Sequence, residues 1–124
     1  MWKILCSIFV AVAVVAAVAR AGAEPGGEDA TVSGEIVDLA CYVPRGDKGR
    51  GSAHQECAEM CAKGGQPLGV LSADGSLILL VEDHAKPAPY GAVKKLAGQT
   101  AQISGKKFAR NGLSVLVVTK VEAQ

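Results

Sequence analysis

The chain has 124 residues, with 13 Lys and Arg against 12 Asp and Glu. That near-balance lacks the basic footprint of a nucleic-acid binder, and an aromatic share of 4% is too small for a base-stacking platform. The length suits one domain, and a core this small gains from a cross-link or a metal.

The N-terminus reads as an export signal. Met1-Trp2-Lys3 gives a short positive start, and no charged residue follows until Arg20. Ala21-Gly22-Ala23 is a small-x-small cleavage site before Glu24, so residues 1–23 are expected to be a removed signal peptide. The apolar run is shorter than the roughly 20 residues of a membrane span and ends in cleavage chemistry rather than a cluster of basic residues, which disfavours an uncleaved anchor. No membrane contact is expected after cleavage. Lys3 and Arg20 leave with the signal, turning the net charge from +1 to about −1.

Residues 24–30 are polar and rich in Gly and Pro, and read as a flexible leader. Residues 31–40 alternate well enough for a strand that ends at Cys41. Residues 43–51 hold three glycines and a proline and read as a loop. Residues 52–63 carry a helix pattern. Ser52 with Gln55 resembles a capping box, Glu56 suits the positive end of the dipole, and Gly64-Gly65 supplies the stop. Residues 68–72 and 76–82 form a hairpin across Asp74-Gly75. A short helical pattern with Tyr90, Val93 and Leu96 ends at Gly98. Residues 100–108 and 113–121 form a second hairpin across Asn111-Gly112, and the last strand is apolar on both faces, as a central strand would be.

Five strands with a short helix between the third and fourth predict a mainly β fold, a five-stranded OB-like Greek-key barrel. The domain spans residues 31–124, with a helix in its first long loop and a Cys/His-bearing insertion at residues 41–66.

That insertion holds the residues with chemistry. Removing the signal takes Cys6 away and leaves Cys41, Cys57 and Cys61, an odd number that cannot pair fully within one chain. His54, Cys57 and Cys61 recur at helical spacing and share one face, which Cys41 could meet if the helix packs back over the barrel. Three thiolates and an imidazole suffice for a tetrahedral ion, and soft sulfur donors favour Zn²⁺ or Cu(I). An iron–sulfur cluster is less suited to an exported chain, and without CxxCH there is no covalent haem c attachment. His54 and Cys61 lie about 10 Å apart along a helix axis, at about 1.5 Å per residue, so one ion reaches both only under strain. His84 is therefore kept as a reserve nitrogen ligand, and Asp38 as an acceptor that could orient a ligating histidine.

Two other readings fit the same residues. In one, Cys57 attacks and Cys61 resolves, as in a thiol–disulfide redox protein. In the other, one disulfide contributing about 3 kcal/mol staples a ligand- or protein-binding domain. A hydrolase needs a nucleophile and a base held by a third group, and nothing in the spacing identifies that third group. The sequence thus favours a binding protein over an enzyme. Its expected partners are a metal ion and a periplasmic protein.

Residues Gly34 to Tyr42, then His54-x-x-Cys57-Ala58-x-x-Cys61 and Gly65-x-Pro67, resemble a group of small exported bacterial OB-type domains. His84 to Val117, with its Pro-Tyr helix, Leu-Ala-Gly and Ser-Gly, is similar to the second half of such domains. The resemblance covers nearly all of the exported part. It implies a bacterial source, a periplasmic or extracellular location and the barrel fold, and it brings no activity.

Overall fold

The computed structural model describes residues 27–124 and turns the alternating apolar runs into five strands. The signal sequence expected over residues 1–23 lies outside the described residues. The strands are β1 (Glu28–Asp38), β2 (Leu68–Leu71), β3 (Leu77–Val81), β4 (Thr100–Arg110) and β5 (Leu113–Ala123). They close in the order β1-β2-β3-β5-β4. Neighbours are antiparallel except β3 and β5, which run parallel. This is the Greek-key order of an OB-type barrel, as the element order predicts.

Closure depends on β1 serving two neighbours. Residues 28–35 pair with β4, and Glu35 to Asp38 pair with β2, so Glu35 is the pivot. β4 bends where its register with β5 shifts between Ser104 and Gly105. A side chain at Gly105 would run into the Val117 carbonyl oxygen, so this corner needs glycine.

Both predicted hairpins form. Asp74 accepts from the Ser76 N–H at 2.9 Å, and Asn111 and Gly112 both take positive φ, as a two-residue hairpin turn requires. Inside the barrel Ile36, Leu68, Val70, Leu80, Ile103, Leu116 and Val118 are fully buried. β5 lies between β3 and β4, with Leu116 and Val118 inward and Val115 and Val117 half-buried. Leu116→Ala should cost about 2–5 kcal/mol, read as a lowered urea midpoint at unchanged slope.

Three helices complete the domain: α1 (Leu39–Arg45), α2 (Gln55–Lys63) and α3 (Ala88–Lys94). α3 packs against β5 and adds Val93 to the core. α2 presents Ala58 and Ala62, one turn apart, to the same core. Their small side chains let the helix sit close to the barrel, and this fixes which way the neighbouring Cys57 and Cys61 turn.

The first connection departs from the sequence reading in three places. Residues 28–30, read as the end of a flexible leader, are strand, because β4 is long enough to pair with them. Cys41 is not at a strand end but in α1, since the Asp38 carboxylate accepts the Cys41 N–H at 2.8 Å and caps a helix there. Pro44 stands in that helix's last turn, where it removes only one of the few backbone bonds a seven-residue helix can make. Finally, the capping box does not form. Ser52–His54 is a 3₁₀ turn, and Gln55 bonds Glu59 instead, at 3.1 Å.

Candidate metal centre

The centre is assembled by two short helices brought together over the end of β1. Asp38 closes β1, Cys41 sits one turn into α1, His54 ends the 3₁₀ turn just before α2, and Cys57 and Cys61 come from α2. The loop between the helices is tied down from below. Glu35, at the β1 pivot, accepts from Arg50 Nη1 at 3.0 Å and from the Gly51 N–H at 2.5 Å. Arg50 Nε also donates to Asp47 at 2.9 Å. Gly49 packs so closely on α1 that a side chain there would come within 2.5 Å of the Cys41 carbonyl oxygen. These contacts hold α2 facing α1.

Asp38 is the anchor of the arrangement. It is fully buried, and both its oxygens are engaged. Oδ1 takes the Cys41 N–H, and Oδ2 lies 3.0 Å from His54 Nε2. A carboxylate can only accept, so the His54 proton sits on Nε2 and the lone pair on Nδ1. That is the tautomer a ligating histidine needs. Among the described residues no buried side-chain nitrogen or oxygen lacks a partner.

The donors fall into two overlapping groups. Cys41, His54 and Cys57 offer ligand atoms that all lie within 4.8 Å of one another, and so do Asp38, Cys41 and Cys61. Either group could hold a metal ion, and Cys41 belongs to both. All three cysteines are free thiols. Cys41 is buried, while Cys57 and Cys61 keep partial access to solvent. Burial pushes the Cys41 thiol up to about 11, helped by the Asp38 carboxylate and by Cys57. Burial also raises Cys61, followed by the charge of Asp38 and the proximity of Cys57. A cation entering here would therefore displace protons from both thiols.

The structure thus brings together four sequence-predicted residues, Cys41, His54, Cys57 and Cys61. It separates His54 from Cys61, as their spacing along a helix implies. His84, the reserve ligand, lies in the exposed turn after β3 and belongs to neither group. Asp38 does orient His54, and it is also a donor in the second group. Sequence reasoning missed Glu35 and Arg50, which position the loop. Their only signal was opposite charge, and they stand 15 residues apart.

Asp38, His54 and a cysteine also supply the three parts of a thiol nucleophile system, including the orienting group that the spacing did not identify. Two observations bear on that chemistry. The raised Cys41 and Cys61 thiols are the reverse of activated nucleophiles, which leaves Cys57 as the candidate for that role. A cleft of about 420 Å³ lies nearby, lined by residues including Glu35, Tyr42, Asp47 and Arg50, and neither cysteine nor histidine lines it.

Fold and site together define a class: a small five-stranded Greek-key barrel with a Cys/His cluster in its first connection. No protein-family model, curated protein or solved structure matches the chain.

Proposed function

We propose that this is an exported metal-binding protein whose Cys41, His54, Cys57 and Cys61 take Zn²⁺ or Cu(I). The observation that carries the reading is the convergence of free thiols and an oriented imidazole around Cys41. Sulfur with one imidazole is the donor set these thiophilic ions prefer. Partial access at Cys57 and Cys61 leaves a route for an ion to enter or be passed to another protein. With Zn²⁺ the protein is a structural or metal-handling module, and with Cu(I) it is a carrier or buffer in the periplasm or outside the cell. Signal chemistry at residues 1–23 supports that location.

Native mass spectrometry of the exported protein, purified without added metal and followed by a metal assay, tests the reading. The chain should begin at Glu24 and carry bound metal, and the double variant Cys41→Ser, Cys57→Ser should carry none. A wild-type chain that holds one disulfide and refuses both Zn²⁺ and Cu(I) after reduction would sink it. That result would leave a stapled binding domain.

The thiol-exchange alternative makes a different forecast. Cys61→Ser should then trap mixed disulfides through Cys57.

A further inference from the structure

The two donor groups share one residue, and this bears on how many ions the cluster takes. Resting on the metal-binding reading above, we infer that it holds two Cu(I) ions bridged by the Cys41 sulfur. One ion lies with Cys41, His54 and Cys57, and the other with Cys41 and Cys61 beside Asp38.

Two arguments lead there. The first is reach. His54 and Cys61 occur in different groups, so an ion in one group leaves donors of the other unused. The second and last is coordination number. Two three-donor groups sharing one sulfur cannot supply two tetrahedra, as a pair of Zn²⁺ ions would need. Cu(I) is content with two or three soft ligands. The first group is a complete sulfur–sulfur–nitrogen set, and the second offers two sulfurs. Asp38 already accepts from the Cys41 N–H and from His54, so its part there is its charge.

The binding step balances simply. Each of the three thiols loses its proton to solvent as it becomes a ligand, four Cu–S contacts and one Cu–N contact form, and no electron moves.

Anaerobic titration of the reduced protein, residues 24–124, with Cu(I) buffered by a competing chelator tests this. Ions are counted by native mass spectrometry, and copper X-ray absorption is recorded at saturation. Wild type should saturate at two ions per chain with a short Cu–Cu scattering path. Cys61→Ser should saturate at one and lose that path, with unchanged far-ultraviolet circular dichroism. Cys61→Ala should behave in the same way should the serine variant fail to fold. A wild-type plateau at one ion per chain, including one ion per chain within a dimer, overturns the bridged pair while leaving the metal-binding reading standing. So does retention of two ions in both Cys61 variants. A wild-type chain that takes no Cu(I) and no Zn²⁺ overturns both.

Discussion

Asp38→Ala should destabilise the metal-free domain by about 3 kcal/mol. The loss of a helix N-cap contributes about 1 kcal/mol, and stranding the half-buried His54 ring N–H contributes about 1–3 kcal/mol more. The residue is fully buried and serves α1 and α2 at once, so both helices should loosen together. Urea unfolding of the reduced protein measures the effect. Asp38→Asn separates stability from ligation. Its amide oxygen can still accept from the Cys41 N–H, while its NH₂ group faces His54 and donates to Nε2. The histidine then carries its proton on Nδ1 and has no free lone pair for a metal. Asp38→Asn should therefore keep most of its stability and bind metal about 10–100-fold more weakly, as competition with a chromogenic chelator would show. Wild-type affinity in that variant would remove His54 from the ligand set or Asp38 from its role in orienting it.

Metal affinity should fall steeply on acidification. Burial and the neighbouring carboxylate push Cys41 up to about 11, and burial raises Cys61 as well, so both enter the reaction as thiols across pH 6–8. Loading both donor groups must displace both protons. Affinity therefore rises with pH, by about a hundredfold per pH unit from these two residues alone. Chelator competition at pH 6, 7 and 8 gives the slope, and calorimetry in buffers of different ionisation enthalpy counts the protons released. A tenfold slope or less would mean that one of the two thiols is not a ligand. For a carrier this dependence has a consequence: acidic surroundings favour release and neutral ones favour retention.

The position of the centre in the fold suits handling an ion rather than burying it. The barrel core lies below α2, held there by Ala58 and Ala62, while Cys57 and Cys61 sit at the helix edge with partial solvent access. Glu35 and Arg50 fasten the connecting loop to β1 without entering the donor set. Loading and unloading can then proceed without disturbing the strands.

Period-two alternation, two Asx-Gly turns and a helix-stopping glycine pair are local signals, and the strands and hairpins they specify were legible for that reason. The helical spacing of His54, Cys57 and Cys61 was equally legible, and so was the strain of joining its two ends to one ion. Elsewhere the local signals misled. Pro44 and the glycines around it hid α1, although Asp38 three residues before Cys41 is a cap pattern, because apolar alternation runs on through Leu39 and Ala40. Ser52 and Gln55 fit a capping box that never forms, since the chain enters α2 with Gly51 tied to Glu35 on β1. By itself, then, the sequence determined the strands and their two hairpins, the position of the helix that carries Cys57 and Cys61 and the kind of donors available. All of these rest on contacts between residues a few places apart. Only the tertiary structure decided that Asp38 meets His54, that Cys41 belongs to two donor groups and that His84 belongs to neither. These depend on how α1 and α2 fold over the end of β1, and spacing along a chain carries no record of such long-range closure.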